Sequence, residues 1–285
     1  MDAQGVELDR IRVPTIQGDY EGTLQTITSL VLELEARTRD HATVGVGIPG
    51  TIAFPSGLVK NANSTWLNGR PLQEDLSLQL KREVRCANDA NCFTISEATD
   101  GAARKFAVVF GVILGTGCGG GLAVKGELLT GPNGIAGEWG HVPLPWMIPE
   151  EAPGPPCYCG RKGCMETWVS GSGFEADYLR HTSERISARE IVARAGSGES
   201  EATAALDRLQ DRLARGLAGV ADVLDPDAFV LGGGLSQIEQ LYNGTLEQQV
   251  GSYVFGGKGR TPILKNAFGD SSGVRGAAWL WPAER

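Results

Sequence analysis

The 285-residue sequence has no run of Lys and Arg and no Walker phosphate loop of the form G-x-x-x-x-G-K-[ST]. It also has no apolar stretch near the roughly 20 residues that cross a bilayer. Each absence removes a class of function. With 34 acidic against 26 basic residues and a formal charge of -8, it lacks the electrostatic footprint of a nucleic-acid binder. The opening Met1-Asp2-Ala3-Gln4 has neither the basic n-region nor the apolar h-region of an export signal. No internal repeat or low-complexity tail interrupts the chain. The expectation is a soluble cytoplasmic protein with a small-molecule partner, with no nucleic acid and no membrane. At this length it forms one large or two moderate domains. Without an export signal, its six cysteines are expected reduced or metal-bound rather than paired as disulfides.

The 40 glycines gather just after apolar runs, as they do where α/β proteins build ligand loops at strand ends. Val44–Ile48 reads as a buried strand ending in Pro49-Gly50, and 84–87 as a second strand running into Asn88-Asp89-Ala90-Asn91. A helix from about Thr94 to Arg104 is expected next. Residues 107–114 read as a third strand, 115–121 as a glycine loop, and 122–129 as a hairpin about Lys125-Gly126. Leu206, Leu209, Leu213, Leu217, Val220 and Leu224 recur at helical spacing until Asp225-Pro226 stops them. Residues 228–231 then form a strand that delivers Gly232-Gly233-Gly234, and a last helix covers about 273–281. These elements predict a smaller lobe of residues 1–100 with 270–285, and a larger one of 101–269.

Residues 146–163 are too rich in proline, glycine and cysteine for regular structure and need another source of order. His141, Cys157, Cys159 and Cys164 offer three thiols and one imidazole, the donor set of a closed tetrahedral zinc site. Disulfides fit less well, because Cys-x-Cys is too tight for an easy bridge and three cysteines leave one unpaired. Four protein ligands leave no open position for water, so such a zinc would be structural. Cys86, Cys92 and Cys118 lie outside this spacing and read as small buried residues. Glu138 and Glu166 flank the metal ligands and would be fixed by them, either as acceptors for neighbouring sugar hydroxyls or as solvated surface groups. Asn61, Asn63 and Asn68 read equally as turn residues or sugar contacts.

Gly115-Thr116-Gly117-Cys118-Gly119-Gly120 satisfies G-x-G-x-x-G, but a strand pair rather than a helix follows it, which argues against a dinucleotide site. Either it cradles phosphate through backbone N–H groups and the Thr116 hydroxyl, or it is a tight hairpin. Gly232, Gly233 and Gly234 either pass beside an adenosine or end a strand. Asp89, at a strand end before a helix, is the best general base in the chain, with a helix cap as its other role.

Gly137-Glu-Trp-Gly-His141, Cys157-Tyr-Cys-Gly-Arg-Lys-Gly-Cys-Met-Glu166, Asn88-Asp-Ala-Asn91 and Gly115-Thr-Gly-Cys-Gly-Gly-Gly121 together resemble the ROK family of bacterial sugar kinases and repressors. The resemblance spans most of the chain, and its zinc signature with flanking glutamates is the most specific part. It implies an actin-like ATPase (RNase-H-like) α/β fold in two lobes, with mixed sheets and a zinc-stapled loop. It also implies ATP, Mg2+ and structural Zn2+, and a homodimer. Asp89 matches the family's catalytic base, and Asn88, Glu138, His141 and Glu166 match sugar contacts. The loops at Gly115 and Gly232 match phosphate and adenosine segments. Residues 61–69 look more like the fructokinase or mannokinase branch, which makes Asn63 a sugar contact and fructose the expected substrate.

The sequence departs from the family pattern at its start. Family kinases begin with a hairpin carrying D-x-G-G-T-K, whereas Met1–Arg10 already resembles the segment after it. Either the start is placed too late or the product is shortened, and a shortened product is expected to have an unpaired sheet edge and impaired ATP turnover. That motivates a second reading, a sugar-binding pseudokinase. A sugar-responsive repressor is a third, weakened by the acidic charge and by the lack of room for a helix-turn-helix ahead of Val44.

Overall fold

The computed structural model describes residues 1–257 and 260–281. Residues 1–19 form neither helix nor strand and lead into α1 (Tyr20–Thr38), which Asp19 caps by accepting from the Gly22 amide at 2.9 Å. The apolar run Val44–Ile48 becomes β1, followed by a small hairpin of β2 (Thr51–Ile52) and β3 (Val59–Lys60). Helix α2 (Leu72–Leu80) precedes β4 (Val84–Asn88). β4 lies parallel to β1, from Val44 opposite Val84 to Ile48 opposite Asn88. Among the described residues β1 pairs with β4 alone. Leu24, Ile48, Val59, Leu72, Leu76 and Val84 fill a modest core between these elements.

Helix α3 (Asp89–Thr99) follows β4 without a loop. It begins five residues before the Thr94 expected from sequence, because the Asn88 side chain accepts from the Ala90 amide at 2.9 Å and caps it. Every residue from Ala90 to Ala98 is buried. Glu97, also buried, accepts from the Ala267 amide and the Ser272 hydroxyl, tying α3 to the last part of the chain.

β5 (Val108–Leu114) and β6 (Cys118–Val124) pair antiparallel, with Leu114 opposite Cys118. The expected glycine loop of 115–121 is therefore a turn of only 115–117, and Cys118 to Gly121 belong to the strand. β7 (Glu127–Leu128), β8 (Ala228–Gly232) and β9 (Ile263–Lys265) complete a mixed sheet in the order β7-β6-β5-β8-β9. The chain crosses between β5 and the parallel β8 through α4 (Glu166–Val169), α5 (Gly171–Thr182), α6 (Ala188–Gly196) and α7 (Ser200–Leu224). The leucine spacing of α7 buries Leu206, Leu209, Leu213 and Leu217 against the sheet, and Asp225 ends the helix in the left-handed conformation. α8 (Thr245–Tyr253) packs on α7, and α9 (Ser272–Ala278) packs on α3 and β1. Among the described residues no helix is long and apolar enough to cross a membrane. Residues 258–259 and 282–285 of the expected lobes lie outside the described residues.

Candidate active site

A cavity of about 820 Å³ opens where the ends of β1, β4, β5 and β6 face the loop carrying the cysteines. Asn63, Asn88, Asp89, Glu138, His141 and Glu166 all line it, together with Gly115, Thr116, Gly117, Gly119 and Gly120. A second cavity of about 850 Å³ adjoins it. Gly115 and Thr116 line both, so the turn after β5 is the partition between them. Of the other glycine cluster, Gly234 lines the second cavity, Gly232 lies within β8 opposite Ile113, and Gly233 follows that strand at φ 80°.

Asp89 sits in the first turn of α3, its carboxylate accepting from the Ala90 amide at 2.8 Å. The side chain is exposed and borders both this cavity and another of about 560 Å³ lined by β1 and α9, while the protein atoms packed around its carboxylate partly desolvate it. The resulting desolvation raises its pKa, opposed by the Ala90 amide and Asn88. A carboxylate whose proton affinity is raised, yet which is reachable from a cavity, suits a general base. The Asn88 amide group donates to the Gly50 carbonyl at 3.2 Å, joining the ends of β4 and β1 beside it.

The opposite wall is set by the cysteine loop. Glu166 accepts from the Cys118 amide at 3.0 Å, which locks it against the start of β6. That approach depends on Gly117, where a Cβ would stand 2.6 Å from a Glu166 oxygen. Trp139 donates to the Gly119 carbonyl at 2.9 Å and so holds the short turn of Trp139–His141 against the same strand. The ligand atoms of His141, Cys157, Cys159 and Cys164 all lie within 4.8 Å of one another. His141 Nδ1 is 3.6 Å from Cys157 Sγ, and Cys159 Sγ is 3.6 Å from Cys164 Sγ. With metal–ligand bonds of about 2.0–2.3 Å, the edges of a tetrahedral zinc site are close to these separations. The donor set and its geometry fit that ion. It would leave His141 with Nε2 facing the cavity.

Beneath this loop, α7 supplies buried cations. Arg212 Nε donates to Glu151 at 2.8 Å and its Nη1 to Asp177 at 2.7 Å, while Arg215 donates to Glu151 through both terminal nitrogens at 2.8 Å. Arg215 also donates to the Trp146 carbonyl at 3.0 Å. Burial alone would raise the pKa of Glu151, but the hydrogen bonds from Arg215 and Arg212 hold it at about 2.

The asparagines divide between their two readings. Asn68 accepts from the Ala62 amide at 2.9 Å and donates to the Ala62 carbonyl at 3.0 Å, so it clamps a turn. Asn61 holds that turn at φ 57°, and Asn63 lines the cavity. Sequence reasoning did not single out Tyr158, Ser172, Glu175 or Arg189, which line the two cavities. A signal existed for Tyr158, since an aromatic residue between two metal-binding cysteines has to point away from the metal.

The profile of the ROK family matches residues 1–284. The N-acetyl-D-glucosamine kinase of Yersinia pseudotuberculosis serotype O:1b (strain IP 31758) is 42% identical over 278 residues, covering 96% of this chain and 91% of that one. The ROK hexokinase of Thermus thermophilus superposes with a TM-score of 0.83 at 27% identity, over 94% of this chain and 88% of that one. The ROK family glucokinase of Streptomyces griseus, solved with glucose and AMPPNP, gives 0.79 at 27% identity, over 98% and 93%. The fold is thus the actin-like ATPase fold expected from the motifs. These relatives support a sugar kinase and give no support to fructose in particular. The segment that suggested fructose, 61–69, contributes Asn68 to a turn.

Proposed function

The chain belongs to the ROK family, and within it we propose an N-acetyl-D-glucosamine kinase in which Asp89 takes the proton from the sugar hydroxyl that attacks the γ-phosphate of ATP. The chain is an ATP-dependent sugar kinase. The choice of N-acetyl-D-glucosamine rests on the name of the Yersinia relative at 42% identity. The observation that carries the chemistry is the convergence of Asp89 with Asn63, Asn88, Glu138, His141 and Glu166 in one cavity, partitioned from a second by the Gly115–Gly117 turn.

In this reading the sugar occupies the first cavity. Glu138 and Glu166 accept hydrogen bonds from its hydroxyls, His141 Nε2 and the two asparagines fix its orientation, and Asp89 accepts the proton of the attacking hydroxyl. ATP lies in the second cavity with its phosphates across the Gly115–Gly117 turn, where backbone N–H groups and the Thr116 hydroxyl face them. No Lys or Arg is among the described residues lining the sugar cavity. Mg2+, when bound, supplies the charge neutralisation that phosphoryl transfer requires. His141, Cys157, Cys159 and Cys164 would hold Zn2+, which closes the loop around Glu138 and Glu166. A cytoplasmic homodimer, with lobes of residues 1–100 plus 270–285 and 101–269, completes the reading.

The test is an ADP-release assay with N-acetyl-D-glucosamine, glucose, N-acetylmannosamine and fructose. The expected outcome is the highest kcat/KM for N-acetyl-D-glucosamine, with Asp89→Asn lowering kcat by about 10²–10⁴-fold while sugar binding persists. Because partial desolvation raises the Asp89 pKa, kcat should fall with acidification at a higher pH than a free aspartate would give. A preference for fructose would overturn the substrate, and an Asp89→Asn enzyme with full turnover would overturn the base.

A further inference from the structure

We infer that Tyr158 is a displaceable cover on the sugar cavity, its hydroxyl occupying the His141 nitrogen that a sugar hydroxyl must take, and that it thereby sets the affinity and selectivity of the site. The inference rests on the sugar-kinase reading above. Tyr158 Oη lies 2.9 Å from His141 Nε2, and the two rings meet edge to face at 5.1 Å and 87°. The other ring nitrogen, Nδ1, faces Cys157 Sγ at 3.6 Å within the cysteine cluster. Nε2 is therefore the nitrogen His141 can offer a ligand, and Tyr158 holds it.

Two features make the tyrosine able to move without the loop moving. Its backbone is fixed on both sides. It lies between Cys157 and Cys159, both members of the cluster, with the Cys157 amide donating to the Arg161 carbonyl at 2.8 Å and the Gly160 amide to the Cys157 carbonyl at 3.0 Å. Its side chain is not fixed, since Tyr158 is 80% exposed although it lines the cavity with Asn63, Asn88, Asp89 and Glu138. Rotation about its side-chain bonds alone uncovers Nε2, on the fast timescale of exposed side chains.

The energetics give the sign of the effect. A sugar hydroxyl that reaches Nε2 first replaces an existing hydrogen bond, so the exchange is nearly neutral, whereas with Nε2 unclaimed the same contact is a gain. A sugar that cannot present a hydroxyl there leaves the tyrosine in place and meets its ring as a wall. Removing only the phenolic oxygen should tighten binding of a fitting sugar by about two- to tenfold, the net worth of one hydrogen bond. It should also narrow the difference between fitting and poorly fitting sugars.

The experiment is isothermal titration of the full chain and of its Tyr158→Phe variant with N-acetyl-D-glucosamine, glucose, N-acetylmannosamine and fructose, with thermal melts to show that both are folded. A lower Kd in Tyr158→Phe for the best sugar, with a smaller spread across the four, is the expected result. An unchanged Kd overturns the inference, and a raised Kd overturns it in favour of a tyrosine that hydrogen-bonds the sugar directly. If fructose is the tightest ligand, the substrate assignment fails while the tyrosine comparison is still read on fructose. If no sugar binds either protein, the sugar-site reading fails and the cover falls with it.

Discussion

The two walls of the cavity proposed for the sugar are held by different physics. The wall bearing Glu138, His141 and Glu166 is built from short turns and the start of α4 around an irregular loop, yet it is pinned by a cysteine–histidine cluster, by a hydrogen bond that Glu166 accepts from the Cys118 amide of β6, and from below by arginines of α7 that are buried with their carboxylate partners. The facing wall bearing Asn63 rests on the hairpin of the short strands β2 and β3, a left-handed Asn61 and the side chain of Asn68, over the modest core around Leu72 and Leu76. On the proposed reading, groups that meet the sugar in one geometry are placed where strong, mutually dependent contacts fix them. Adaptation to one sugar or another is left to a wall that small changes can reshape.

Breaking the first wall should therefore have large and all-or-none consequences. On the zinc reading, replacing Cys164 by Ser removes one of four ligands from a site whose metal would supply the order that the sequence of the loop does not, and structural zinc contributes of the order of 10 kcal/mol to such ordering. Sugar binding should drop below detection and bound zinc should fall from one per chain toward none. A Cys164→Ser protein that binds sugar normally without metal would remove the staple from the account. Next in size is Arg212→Ala, which strips Glu151 and Asp177 of a shared partner inside the protein, a change that costs about 3–5 kcal/mol when the remaining charges stay buried. Urea unfolding at pH 7 measures it. The pH dependence has a definite sign, because the Glu151 pKa is depressed from its ordinary 4.5 to about 2. Its contribution to stability is present in full above about 4.5 and is lost as pH falls toward 2, and the Arg212→Ala protein should lose less over that interval than the parent.

The same contrast explains how much could be read from the sequence. β1, β4, β5, β8 and α7 were legible because unbroken apolar runs or helical leucine spacing ended at strong stops such as Pro49-Gly50 and Asp225-Pro226. The convergence of His141, Cys157, Cys159 and Cys164 was legible because few donor sets combine three thiols and an imidazole at that spacing. The start of α3 was misread because Asn88-Asp89-Ala90-Asn91 has the composition of a loop, and only the Asn88 cap turns it into a first helical turn. The glycines of β6 were misread as loop for a related reason. Gly120 lacks a side chain because Trp139 occupies its place, a Cβ there standing 2.6 Å from the indole, and that is a tertiary fact with no local trace. The arginine network under the cysteine loop joins residues 151, 177 and 212, and nothing in their spacing announces it. The α1 and α2 helices and the hairpin of β2 and β3 were not singled out, although Leu24, Ile27, Val31 and Leu34 of α1 recur at helical spacing and the first three face the small core.

The smallest effect belongs to the second wall, and it separates the two roles left open for its asparagines. Asn68→Ala deletes both hydrogen bonds to the Ala62 backbone while leaving the cavity-lining side chain of Asn63 untouched. Two partly exposed hydrogen bonds are together worth about 1–3 kcal/mol, so the protein should stay folded with a modestly lower Tm. If Asn63 orients the sugar, loosening its turn should raise the KM for N-acetyl-D-glucosamine severalfold and leave kcat nearly unchanged, since Asp89 is carried by α3 and does not depend on that turn. A KM that stays at the parental value while Tm falls would mean that Asn63 only borders the cavity, and that recognition resides wholly in the wall fixed by the metal cluster.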